Sequence, residues 1–196
     1  MKHSMNHLVP AMLAVGMHMS PGPKQMPKPG RPISYSAAKP LILYSDTSGK
    51  SSEHANHRAV LFTGRRIHIV MVAVKPGAPD QTFEVHKFVD PQIDTPAGSR
   101  VTLTLLNMDY GPGMVHGIVI GAAKPPYKTV VPLPVTAQFA EIPLTMPRTS
   151  QSPGKSAYFV ATRTFVAPRR PGLYYYFCQM PGHAKAGMYG RWVVTP

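Results

Sequence analysis

Cysteine occurs once in 196 residues, at Cys178. No disulfide can therefore close within the chain, and the fold must rest on packing and on any bound metal. Carboxylates are scarce: 8 Asp plus Glu stand against 21 Lys plus Arg, a formal charge of +13. The last of them is Glu141, after which Arg148, Lys155, Arg163, Arg169, Arg170, Lys185 and Arg191 follow with no acidic residue among them. A basic balance of this size raises nucleic acid as a partner, but the motifs that should accompany it are missing. There is no zinc finger, no helix-turn-helix, no RNA-binding aromatic signature and no Lys/Arg run longer than a pair such as Arg169-Arg170. No nucleic-acid partner is expected. The positive C-terminal quarter suits an anionic partner, or an acidic setting in which few carboxylates mean little change of charge on protonation.

What is present is enough for one packed domain, since 43% of the residues are hydrophobic. The first residues differ from the rest. One cation, Lys2, precedes an apolar stretch over 8–19 that is broken by Pro10 and Gly16 and is too short to span a bilayer as a helix. With Ala14 and Gly16 as a conceivable cleavage site, it reads as a secretory signal, an anchor or a plain tail. Met1, His3, Met5, His7, Met12, Met17, His18, Met19 and Met26 make this region rich in copper-scavenging donors, although an unstructured tail explains them as well. Residues 21–32 hold five prolines and favour an extended linker. The expected organisation is a signal-like or anchoring segment over 1–20, a Pro-rich linker over 21–40 and one domain over 41–196.

From about residue 58 the pattern is short β-rich runs separated by Gly, Pro, Asp and Ser, with no convincing amphipathic helix of ten residues or more. Strands are expected at 59–63, 66–75, 81–89, 100–108, 115–120, 138–144, 157–165, 173–178 and 191–194. That spacing predicts an all-β sandwich or barrel. The proline-studded stretch between Ala122 and Thr136 is expected to be a long loop.

The chemistry gathers near the C-terminus. An aromatic strand delivers Cys178 at its end, a Pro181-Gly182 turn follows, and His183 and Met188 come next in the pattern Cys-x4-His-x4-Met. His116 heads an earlier apolar run, His-Gly-Ile-Val-Ile. One thiolate, two imidazoles and one thioether are the donor set of a type 1 copper site, with a trigonal His2Cys plane and a weak axial Met. Singly each residue is ordinary: core cysteines and gap-filling methionines are common. Jointly, their spacing points to metal. The remaining histidines lack a second donor at metal spacing; His54, His57, His68 and His86 are read as structural or solvated, and His3, His7 and His18 belong to the tail.

At residues 174–194, YYYFCQMPGHAKAGMYGRWVV, the chain resembles the cupredoxin family, and within it the rusticyanin-like proteins, whose ligand loop has the same Cys-x4-His-x4-Met pattern. The resemblance covers about residues 100–196, and the sandwich from about 58 by extension. It implies a cupredoxin-like Greek-key β-sandwich with one copper ion, cycling between Cu(I) and Cu(II), near one end. His116 and His183 would be the imidazole ligands, Cys178 the thiolate and Met188 the axial thioether. Two departures stand out. Members of that group carry Ser or Asn directly after the first ligand His, a donor near the cysteine sulfur, where this chain has Gly117; and the stretch Asn107-Met-Asp-Tyr-Gly-Pro-Gly-Met-Val-His116 is longer than theirs.

Four protein donors leave no open position for a substrate, so electron transfer rather than catalysis is expected. Electrons would leave through His183, framed by Met180, Pro181, Gly182, Ala184 and Gly187 and, from the other loop, by Pro112, Gly113 and Met114. A multicopper oxidase or copper nitrite reductase would need further imidazole clusters, and no His-x-His occurs. A binuclear copper site needs two cysteines. Copper storage or delivery by the Met/His-rich tail is the alternative reading. The resemblance implies redox partners such as a cytochrome c or a terminal oxidase, with a bound subunit of a respiratory assembly as one form of that partnership. A periplasmic location is expected, with membrane association through the N-terminus or a partner.

Overall fold

The computed structural model describes residues 30–196 apart from 55–56 and 133–137. The elements are β1 (Arg31–Ser34), α1 (Tyr35–Thr47), β2 (Lys50–His54), β3 (His57–Leu61), β4 (Arg66–Ala73), β5 (Phe83–Val85), β6 (Phe88–Val89), β7 (Gln92–Pro96), β8 (Arg100–Asn107), β9 (His116–Gly121), β10 (Gln138–Thr145), β11 (Ala157–Val166), β12 (Gly172–Cys178) and β13 (Tyr189–Thr195). They form two sheets, in the orders β1-β11-β8-β4-β5-β6 and β10-β9-β12-β13-β7-β3-β2. The expected all-β sandwich is what the chain forms.

Alternation in the strands explains the two faces. In β8, Val101, Leu103 and Leu105 turn into the core between the sheets, while Thr102 and Thr104 face outward and pair with Thr164 and Thr162 of β11. The same inner core takes Ile69, Met71 and Ala73 of β4, Ile118 and Ile120 of β9, Tyr176 and Cys178 of β12, and Trp192 and Val194 of β13. Trp192 is fully buried, and its indole N–H donates to Thr95 Oγ1 at 2.9 Å. Partners far apart in sequence meet here, as a sandwich requires.

The linker expected over 21–40 does not hold across its described part. Arg31–Ser34 pairs antiparallel with Ala157–Val160, and α1 begins at Tyr35. Residues 1–29, with the signal-like stretch and most of the Pro-rich run, lie outside the described residues. The helix starts where the Ser34 hydroxyl accepts the Ala37 N–H, and it tolerates Pro40. Its burial comes from the sheet rather than from its own pattern: Ala38 sits over Val72, Leu106, Met108, Tyr158 and Val160 on the outer face of the first sheet. Polar anchors fix the helix end. Tyr44 donates to His68 O, the Ser45 hydroxyl to Glu84 O, and Lys75 bridges Asp46 at 2.6 Å and Glu84 at 2.9 Å.

The strand expected over 81–89 is a tight hairpin. His86 and Lys87 both take positive φ, 55° and 62°, between the paired residues Val85 and Phe88, the two-residue turn whose twist suits flanking strands. His86 Nδ1 meets Ser48 O at 2.9 Å and His68 lies against the Tyr44 ring, so both are structural. The proline-studded stretch is a loop through residue 132. It places Tyr127 against Val119, Phe177 and Ala184 on the outer face of the second sheet, and Thr129 O accepts the Gly182 N–H at 2.7 Å. That loop therefore braces the turn between Cys178 and His183.

Candidate metal centre

Register on the second sheet brings the candidates together. β9 and β12 are antiparallel neighbours with Ile118 opposite Cys178, and Gln179 N–H donates to Gly117 O at 3.2 Å. His116, two residues before Ile118, thus stands beside the end of β12 on the inward face. Beyond Cys178 the chain turns back on itself. His183 N–H donates to Met180 O, Met188 N–H to His183 O, and Cys178 N–H to Met188 O at 3.0 Å, which closes the loop at its base. The turns pass through Gly182 and Gly187 at φ +89° and +117°, values that L side chains adopt only with strain.

His116, Cys178 and His183 present Nδ1, Sγ and Nδ1 within 4.8 Å of one another. The sulfur lies 3.8 Å from His116 Nδ1 and 3.5 Å from His183 Nδ1. Thiolate and imidazole bonds to a first-row metal of about 2.3 and 2.0 Å set S–N edges of roughly 3.5–3.7 Å at angles between tetrahedral and trigonal. The observed edges lie close to that range, so one ion fits with little movement. Met188 is fully buried in the apolar cluster that contains Cys178. A thioether beside thiolate and imidazoles is a soft donor set that selects copper. The structure thus gathers the three predicted N and S donors and encloses Met188 with them.

Burial acts in opposite senses on two of the donors, holding the proton on Cys178 until a metal displaces it and favouring the neutral form of His183. Burial pushes the Cys178 thiol up to about 11, and the backbone N–H groups of Gly117 and Met180 pull the other way. Burial, then the neighbouring His116, hold His183 below its ordinary value, with Asp109 opposing. His183 is thereby kept neutral, the form that ligates.

The departure at Gly117 has a structural account. A Cβ there would overlap the Gln179 amide nitrogen and crowd Ile142 O at 3.1 Å; Gln179 Nε2 occupies the space and donates to Ile142 O. The Gly117 backbone still favours the thiolate form of Cys178. The exit surface differs from expectation in one residue. Pro112, Gly113 and Pro181 are exposed and Met114, Met180, Gly182 and Gly187 partly so, but Ala184 is only 2% exposed and packs with Tyr127 and Phe177.

One functional residue went unread in the sequence. Asp109 Oδ2 meets His116 Nε2 at 2.8 Å, on the ring atom opposite the one that faces the sulfur. Its place is prepared by Asn107, whose Oδ1 accepts the Asp109 N–H and whose Nδ2 donates to Met114 O and Thr145 O. The Thr145 hydroxyl in turn donates to His116 O at 2.9 Å. The available signal was a lone carboxylate seven residues before His116 in a chain with few of them.

Comparison with known proteins agrees with this geometry. The chain is 34% identical over 148 residues to rusticyanin of Acidithiobacillus ferrooxidans, spanning 74% of this chain and 86% of that protein. It is 35% identical over 156 residues to rusticyanin of Acidithiobacillus ferridurans, spanning 78% and 73%. The 1.27 Å structure of rusticyanin from Thiobacillus ferrooxidans superposes with a TM-score of 0.72 at 30% identity, covering 87% of this chain and 100% of that one. Reduced rusticyanin gives 0.67 at 29% identity, covering 84% and 99%. No family model matches.

Proposed function

Because the chain belongs to the rusticyanin family of type 1 blue-copper cupredoxins, we propose that it carries single electrons between redox proteins of a respiratory chain and is not a catalyst. The observation that carries this is the convergence of two Nδ1 atoms and one Sγ within 4.8 Å, with a fully buried Met188 from the same loop. Bound there, copper would supply the one-electron couple. The residues do the rest. His116 and Cys178 are fixed by paired strands and His183 and Met188 by a loop closed at its base, so the donors keep their places through both oxidation states and little rearrangement opposes transfer.

His183 is the donor nearest solvent, since His116 is fully buried. Pro112 and Gly113, on the loop before His116, and Pro181, on the loop of His183, are exposed, and small residues of this kind suit brief redox encounters. Lys185 is exposed on the same loop and favours an anionic rim on the partner. A cytochrome c or a terminal oxidase, met in solution or as a fellow subunit, is the partner this reading implies. The signal-like residues 8–19 support a periplasmic site of action, with membrane association through the N-terminus or the partner.

The test is a visible and EPR spectrum of the Cu(II)-loaded protein with copper counted per chain. One equivalent with an intense thiolate-to-copper band supports the carrier. Several equivalents bound through the N-terminal Met/His region would favour storage or delivery, and a colourless protein would overturn the metal centre.

A further inference from the structure

We infer that Asp109 is a positioning residue that lowers the reduction potential of the centre by holding a buried negative charge against the ligand His116; the inference rests on the type 1 copper reading above. Three observations carry it. The first is the contact. With Nδ1 of His116 turned to the metal position, Nε2 must bear the ring proton, and Asp109 Oδ2 at 2.8 Å is its acceptor. That bond fixes both tautomer and ring orientation, and it makes the imidazole a stronger donor.

The second is isolation of the charge. His116 is 0% and Asp109 8% exposed. Among the described residues the ion-pair partner of Asp109 is His116. The neighbouring Arg148 makes no ion pair with it; its guanidinium hydrogen-bonds Met108 O, Ser150 O and Gln151 O instead. The third is rigidity. Asp109 Oδ1 accepts the Tyr110 N–H at 2.7 Å, its own N–H is held by Asn107, and its carbonyl accepts the Arg148 N–H at 2.9 Å. The carboxylate cannot easily turn away to water.

The charge balance gives the direction. A divalent ion with the Cys178 thiolate and the Asp109 carboxylate sums to zero, whereas the monovalent ion leaves one negative charge in a buried site. An unpaired charge of low solvation is costly. The oxidised centre is therefore favoured, and more so than it would be with a neutral amide at the same position.

The experiment compares the wild type with Asp109→Asn by spectroelectrochemistry at one pH. The amide oxygen can still accept the Nε2 proton, so the variant removes the charge and keeps the His116 contact, while the amide nitrogen gives up the Tyr110 N–H. We expect the equilibrium to shift toward Cu(I) by at least tenfold, about 59 mV higher in potential, with the thiolate-to-copper band retained. An unchanged potential in a variant with an intact band overturns the inference and leaves the copper reading standing. A wild type without that band overturns both, and shows this before any variant is compared. Should Asp109→Asn fail to fold, proton NMR of the wild-type Cu(I) protein decides: a His116 Nε2 proton protected from exchange supports the contact, and one exchanging freely with water refutes it.

Discussion

Asp90→Asn should stabilise the copper-free protein at pH 8 and leave it unchanged at pH 4. Asp90 lies on the turn between β6 and β7 at φ +45°, where its Oδ1 accepts the Phe83 N–H at 2.9 Å. Burial pushes its carboxyl up from 3.8 to about 7, against a smaller opposite pull from the Phe83 N–H. The sign follows. A folded-state value above the unfolded one means that the folded chain holds the proton more tightly, so the ionised group opposes folding. The cost is absent below about pH 4, grows between about 4 and 7, and is constant above that. The displacement sets a ceiling of about 4 kcal/mol; the turn is partly exposed, and screening there reduces the expectation to about 1–3 kcal/mol. Asparagine tolerates the left-handed backbone and keeps an oxygen for Phe83, so charge is the only large change. The site matters because Tyr176, two residues before Cys178, donates its hydroxyl to Pro91 O at 2.7 Å, which ties this turn to the strand that carries the thiolate. Urea unfolding followed by fluorescence of the single Trp192 measures both proteins at both pH values. A gain that is equal at pH 4 and pH 8, or a loss at pH 8, would refute the reasoning.

Two further outcomes bear on the centre. Cys178→Ser should abolish the thiolate-to-copper absorption and, by removing a ligand whose metal binds only the native state, lower the thermal midpoint measured with copper present; an unchanged visible spectrum refutes the assignment. Met188→Gln should retain copper at a lower potential, since an oxygen donor favours Cu(II) more than a thioether does, and voltammetry with metal analysis checks it; complete loss of copper would show that Met188 does more than an axial ligand should.

Much of the architecture was legible because its signals are local. Alternation in 100–108 and 157–165 and the aromatic run ending at Cys178 gave strands close to those observed. The misses share a cause. Helix α1 buries little beyond Ala38 and Ser45, so its own periodicity is weak, and it exists because the outer faces of β4, β8 and β11 offer Val72, Leu106 and Tyr158 to cover. The linker expected over 21–40 ends at Pro40, which sits inside that helix. The short strand β7 gains its order from parallel pairings with β13 and β3, which no local window contains, whereas β2 pairs antiparallel with the adjacent β3. Ala184, assigned to the exit surface by sequence proximity, was taken inward by Tyr127 from a loop more than fifty residues away.

The amino-acid sequence by itself determined the donor set, because thiolate, imidazoles and thioether are properties of residue type and Cys-x4-His-x4-Met is a matter of spacing on one loop. It also determined the all-β class, through the two-residue period of the apolar positions. Only the tertiary structure decided that His116 joins the other three, through the β9–β12 register; that Gln179 fills the space above Gly117; and that Asp109 stands behind His116. Those contacts link segments up to 62 residues apart for the sulfur and imidazole, and their geometry depends on where paired strands place each backbone, which residue identity does not encode position by position.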